Sequence, residues 1–460
     1  MCETRRPARL ERPILSGRPR LFPLTWPLLL ELLLGIGIGV IGTALAARLS
    51  DLSGAAFGIA NQVFAALFVL FRVIGAGVSV AVTQALGAGR RDQADAVARA
   101  VVGASTWLGV GGACVALLAA GPLLGLVNTP AEVEPLARGL LQALAPALLL
   151  DAWNANMSSV MRAHLRSREA LGVVIVIQIV TLAVALLAMP GMGLPGYALA
   201  CACGRGIGLA LHITLWRARL KLRLRSADWW RLVRAPLATV LHIGVPGAAE
   251  NIAWRLAFMT SLAAVAQLGA LALATHAYTM QFLHVILMFG LAVGFAVEIL
   301  VGHMIGAGEL HAAHKLVRKS LALGLVVAFL VAGSFALAGP WLLAQFTADA
   351  EIIRLGCTLL WWTVLLEPGR TFNLVVINAL RATGDARYPV IAGAASMAVL
   401  LAGGSWFLGV HLGMGLVGVW IAYAADEWIR GLLMWRRWAT LGWLPHARAA
   451  HRRLRRAQVG

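Results

Sequence analysis

Gly87-Ala88-Gly89-Arg90 returns 219 residues later as Gly306-Ala307-Gly308-Glu309. The same offset carries Pro27 and Glu31 onto Pro246 and Glu250, Gln62 onto Gln281 and Gly75 onto Gly294. It also carries Arg99 onto Arg318, Asn154 onto Asn373 and Arg162 onto Arg381. Coincidence in a chain rich in Ala and Leu would mostly pair Ala with Ala. The matching positions here are polar or helix-breaking, so the chain reads as a duplicated unit.

Apolar runs of about 20 residues fill the spaces between these marks, long enough to cross a hydrocarbon core as helices. They are continuous rather than alternating, which points to helices and away from a barrel. Spans are expected near 27–48, 55–86, 96–120, 132–161, 170–189, 195–216, 238–266, 274–305, 316–339, 350–380, 389–409 and 414–434. Six spans per copy is an even number, so the second copy enters the membrane in the same direction as the first. The expected fold is an all-α polytopic membrane protein. Its 12 transmembrane helices form two pseudo-symmetric six-helix bundles, a parallel repeat about an axis along the membrane normal. Residues 1–26 form a basic N-terminal segment and 27–216 the first bundle. A basic connector, 217–237, leads to the second bundle, 238–434, and a basic tail, 435–460.

Composition agrees. Sixty per cent of the 460 residues are hydrophobic and 13% charged, with a mean hydropathy of +0.81. Soluble domains carry about 45–50% apolar and about 25% charged residues. The net charge of +19 lies mostly in the tails and in the connections after even-numbered spans. The opposite connections hold Glu132, Glu134, Asp349 and Glu351. This asymmetry places both termini in the cytoplasm, as expected of a bacterial inner-membrane protein. Topogenic charge and anionic lipid account for it. Nucleic acid does not, because no aromatic-basic interleaving appears. The connector, with Trp229-Trp230, and the tail, with Trp435, Trp438, Trp443 and Arg452 to Arg456, read as interfacial amphipathic segments. The five cysteines, Cys2, Cys114, Cys201, Cys203 and Cys357, show no metal or disulfide spacing. The first apolar run recurs internally at Pro246, so it reads as a retained span rather than a cleaved signal.

The duplicated six-span unit and the proline-entered first and seventh spans resemble the multidrug and toxic compound extrusion (MATE) family. So do the two glycine loops and the stretch Leu380-Arg381-Ala382-Thr383-Gly384-Asp385-Ala386-Arg387-Tyr388-Pro389, with its degenerate copy near Arg162. The resemblance covers about residues 22–435. It implies two bundles around a V-shaped central cavity, and antiport of small organic cations against H+ or Na+, with no other cofactor. The family's usual acidic positions are occupied here by Gly42, Trp254 and Arg370, so the standard ion site is not written in this chain.

Other ionisable residues fall at membrane depth: Glu31, Asp151, Glu250, Glu298, Glu367, Asp426 and Glu427, with Arg72, Arg205, Arg255 and Arg370. Each costs about 2.5–3.5 kcal/mol at the bilayer centre, so they are expected to meet a partner or a wet cavity. Glu31, Glu250, Glu298, Glu367 and Asp151 are the candidate ion-coupling groups. Gln62, Gln281, His284, Arg370, Asn154 and Asn373 are the candidate cavity residues. Several alternatives stand beside these. Glu31 and Glu250 either carry an ion or clamp their bundles through arginines. Asp151 and its repeat mate Arg370 either pair across the cavity or pair within their own lobes. The asparagines either line the cavity or join neighbouring helices. Pro146 and the Glu367-Pro368-Gly369-Arg370 break either open a helix for binding or only kink it.

A carboxylate in a low-dielectric cavity holds a proton that a cationic substrate displaces, which is a physical basis for antiport. The arginines support a second reading, a flippase-like exporter of an anionic or lipid-linked substrate. A membrane-embedded transferase would have to use His303, Glu309, His311 and His314 near one loop. The expected partners are the bilayer and the transported compound, with the monomer as the working unit.

Overall fold

A computed structural model describes residues 20–456. Residues 1–19 with Cys2, residues 457–460 and the side chains of Val69, Leu70, Arg72, Val73 and Arg456 lie outside the described residues.

The chain is helical from end to end. The first lobe comprises α1 (Phe22–Ala47), α2 (Asp51–Gly87), α3 (Arg91–Leu118), α4 (Ala120–Leu126), α5 (Glu134–Ala143), α6 (Ala145–Ala163), α7 (Ser167–Met192) and α8 (Leu194–Arg219). A short 3-10 turn, Ser226–Trp229, lies in the connector. The second lobe comprises α9 (Arg234–Gln267), α10 (Ala270–Ala307), α11 (Leu310–Leu337), α12 (Gly339–Leu343), α13 (Ala350–Thr383), α14 (Arg387–Ser396) and α15 (Gly415–Ala439). The tail forms α16 (Leu444–Arg456). The expected fourth span is α5 and α6 in line, broken at Leu144, two residues before Pro146, which cannot donate to the preceding turn. The eleventh is α14 continued by π-helical turns, Met397–Gly403 and Ser405–His411.

Local chemistry sets the ends. Ser50 caps α2 by accepting from the Ser53 amide. Asp349 caps α13 by accepting from the amides of Glu351 and Ile352, which satisfies otherwise orphaned donors. The loops after α2 and α10 turn on Gly89 (φ 71°) and its mate Gly308 (φ 81°), a left-handed conformation that glycine adopts without penalty.

Among the described residues, nine helical stretches are apolar and long enough to cross a membrane. The other three spans, α5–α6, α13 and α15, carry Asp151, the Glu367–Arg370 pair and the Asp426–Glu427–Arg430 group. Polarity is thus concentrated in helices that the lobes enclose.

The two lobes meet through α1, α2, α9 and α10, and the repeat is visible in the seam. Gln84 Nε2 donates to the carbonyl of Ala382 at 2.8 Å. Its mate His303 places Nε2 2.8 Å from the carbonyl of Ala163, which is the mate of Ala382. A methyl on Gly87 would strike the His303 carbonyl, and one on its mate Gly306 would strike that of Gln84. Ser79 lies beside Glu298, also its mate. Residues that touch their own counterparts place a pseudo-two-fold axis between α2 and α10.

The seam occupies only the half of the molecule next to the glycine loops, called here the basic face. Residues 74–87 of α2 and 296–306 of α10 are almost wholly buried. In the other half each helix exposes a stripe that continues the seam-facing side: Gly58, Gln62 and Ala65 on α2, and their mates Ala277, Gln281 and His284 on α10. The lobes are closed at the basic face and part toward the opposite one, leaving a cleft.

The tail departs from the interfacial expectation. Trp438 and Trp443 stack at 4.5 Å and are buried in the core of the second lobe. Beyond them, α16 crosses the seam. Ala447 and Ala450 pack on the second lobe and Leu454 on the first. His451 Nδ1 bonds the Gly306 carbonyl at 2.9 Å. Arg90 donates to the Leu454 carbonyl at 3.1 Å. A helix that satisfies backbone carbonyls of the seam is held there rather than on lipid.

Candidate functional site

Three carboxyls gather around the axis beneath the cleft. Glu31 on α1 accepts from Arg162 at 2.6 Å, and Arg162 also donates to Ser158 and Ser159 at 2.9 Å. The same pair recurs 219 residues on, where Glu250 on α9 accepts from Arg381 at 2.5 Å. Each ties the first helix of its lobe to the last turns of the fourth span. Glu298 lies between them, 4% exposed, with Ser79 beside it and Arg162 and Arg381 in electrostatic range. Among the described residues, no ion pair involves Glu298. Glu31 and Glu250 keep 22% and 12% of their side-chain surface exposed.

The remaining candidates are held within single lobes. Asp151 pairs with Arg205 at 2.7 Å, whose guanidinium also lies over the Phe64 ring. Arg370 bridges Glu367 at 2.6 Å and Glu427 at 3.1 Å. Arg430 holds Asp426 and Glu427, each at 2.8 Å. The pairing of Asp151 with Arg370 across the cavity does not occur, because each finds a counter-ion inside its own lobe. Glu250 and Glu367 likewise serve separate arginines. Asn154 and Asn373 are buried and join helices instead of lining the cleft. Asn154 donates to the carbonyls of Leu150 and Arg205 and meets His212 Nδ1. Asn373 donates to Glu427. Gln62, Gln281 and His284 stand exposed on the two cleft stripes.

The positions that usually carry acids in the resembled family are filled by packing. A side chain on Gly42 would run into Phe57 and Tyr197, whose rings meet edge-on at 4.7 Å. Trp254 stacks on Phe258 at 5.2 Å. The histidines proposed for a transferase are dispersed. His303 is sealed in the seam, His311 is exposed, and His314 stacks over Trp438. Among the described residues, no group of His, Cys, Asp or Glu is disposed to hold a metal.

Arg162, Arg381 and Arg430 are absent from the sequence-based candidates. The first two lie at span ends and read as loop arginines. Their repetition at the offset of their glutamates was the available signal. Asp426-Glu427-x-x-Arg430 places partners three and four residues apart on one helix face.

Two lobes related by an axis between α2 and α10, parted on one side around an ionisable centre, define a polytopic transporter. The MatE family model matches residues 27–187 and again 246–406, the two copies standing at the offset of the glycine loops. An uncharacterized transporter of Bacillus subtilis, YisQ, is 32% identical over 430 residues, 92% of this chain and 94% of that one. A probable multidrug resistance protein NorM of Bradyrhizobium diazoefficiens is 27% identical over 432 residues, covering 89% and 91%. In fold, the chain matches a MOP superfamily transporter from Pyrococcus furiosus with a TM-score of 0.85 at 17% identity, covering 96% and 99%. It matches the Vibrio cholerae MATE transporter VcmN in its bent form with 0.83 at 21% identity, covering 94% and 97%. The chain belongs to the MATE family of multi-pass membrane transporters.

Proposed function

We propose that the protein exports toxic compounds by alternating access, driven by protons that exchange at the carboxyls on the pseudo-two-fold axis. The observation that carries this reading is the charge count there: Glu31, Glu250 and Glu298 against Arg162 and Arg381. An ionised carboxylate buried without a counter-ion costs several kcal/mol. The seam therefore closes over Glu298 with a proton on it. When the lobes part at the basic face, water reaches Glu298 and the proton leaves. Protons from the opposite side enter at Glu31 and Glu250, which keep surface exposed above the seam. A carboxyl with one hydroxyl neighbour suits a proton, which needs no further ligands. The networks around Arg205, Arg370 and Arg430 travel with their lobes and hold each bundle rigid.

The basic face is assigned to the cytoplasm of the cell's inner membrane by its excess of Lys and Arg. One chain encloses the whole cleft, so the monomer suffices. The Pyrococcus furiosus transporter is described as having a binding pocket of reversed polarity that suggests a different function.

In reconstituted vesicles a pH gradient should drive efflux, and Glu298→Gln should reduce that drive at least tenfold while leaving substrate binding intact. Undiminished proton-driven efflux in Glu298→Gln, or drive by a sodium gradient alone in the native protein, would overturn the assignment.

A further inference from the structure

We infer that the cleft selects compounds bearing an anionic group, a carboxylate or phosphate, and that Arg255 binds it. This deepens the export reading by naming its substrate class, and rests on that reading only for the direction of transport.

Arg255 lies on α9, 12 residues before the helix ends at Gln267. At 1.5 Å per residue this is about 18 Å inside the outer end, too far for its side chain to reach the membrane surface. It is nevertheless exposed, and among the described residues it has no ion pair. The apolar face of the same helix, with Ile252, Leu256 and Met259 each about 60% exposed, is the face that meets lipid.

Arg255 borders that face, three residues after Ile252 and four before Met259, on its side toward the first lobe. Leu237 and Val240 pack in the core of the first lobe, and a side chain on Gly77 of α2 would strike the Val240 carbonyl. Steps of three or four residues continue that lobe-facing stripe through Gly244 and Ala248 to Asn251 and Arg255. Asn251 is exposed as well. The stripe leaves the seam and enters the cleft, where Gln62, Gln281 and His284 are also exposed.

The balance of charge there is one-sided. Among the described residues, every carboxylate at membrane depth except Glu298 is ion-paired to an arginine, and none has more than 22% of its side chain exposed. Glu298 is sealed in the seam. The organic cation implied by the family resemblance would find no free carboxylate in this cleft. An anion finds a guanidinium able to bind it through two parallel hydrogen bonds, with amide donors around it.

The test uses two forms of one coumarin fluorophore, a carboxylate and a trimethylammonium derivative, binding to the purified full-length protein. Native protein should bind the carboxylate at least tenfold more tightly. Arg255→Gln should abolish that preference and Arg255→Glu should reverse it. Tighter binding of the ammonium form by the native protein, or an undiminished preference in Arg255→Gln, would overturn the inference. Binding needs no gradient, so its failure is separable from failure of proton coupling, which the Glu298→Gln flux experiment reads. Displacement of the bound carboxylate by a soluble short-chain phosphatidylglycerol would identify a lipid headgroup as the source of the anion. Displacement only by free organic carboxylates or phosphates would identify a soluble compound.

Discussion

Glu31 and Arg162 illustrate how a residue's role changes once its partner is known. Alone, a carboxylate in the first span looks like an ion carrier. Bound at 2.6 Å to an arginine that two serines hold in place, it also ties α1 to α6. Breaking such a pair from one side leaves a buried charge unmatched, at a cost of about 3–5 kcal/mol. Arg162→Ala should therefore lower the thermal midpoint, and Glu31→Gln added to it should recover part of the loss. A double-mutant cycle on purified protein checks this, and full additivity would refute the clamp. Gly42 makes the converse case. Restoring the resembled family's acid as Gly42→Asp would force a carboxylate against Phe57 and Tyr197. It should destabilise by about 1–3 kcal/mol through overpacking and should not restore an ion site. Thermal unfolding reads the first effect and flux the second.

At the scale of the element, α2 and α10 each do two things along one length. Their inner halves approach so closely that Gly87 and Gly306 leave no room for a methyl group, and their outer halves part to form the cleft walls. The sequence marks both glycines by the repeat, yet the same pattern fits any glycine loop. Only the partner helix shows that close approach is the reason. Gly306→Leu should hold the basic face ajar. A cysteine at Val80, buried in the seam, should then react with an impermeant maleimide from that face at least tenfold faster than in the otherwise native background. An unchanged rate would mean that the seam closes without this contact. The hydrophobic runs made the spans legible. The break at Leu144 had a proline to announce it, whereas the π turns of the eleventh span carry no comparable mark.

For the whole molecule, α16 ties both lobes together at the closed face through Leu454, Ala447, Ala450 and His451. Deleting residues 444–460 should favour parting of the lobes there, seen as faster labelling of the same seam cysteine with the fold retained by circular dichroism. Labelling no faster than in the full chain would show the tail to be a passenger. The duplication, the twelve spans, their parallel orientation and the list of costly charges were all determined by the sequence, because hydrophobic length and a fixed offset are properties of the chain itself. Tertiary structure alone decided which charge meets which. Ion pairs form between residues 50 to 131 positions apart as well as between neighbours on one helix turn, and no local pattern distinguishes a carboxylate that has found an arginine from one left to hold a proton.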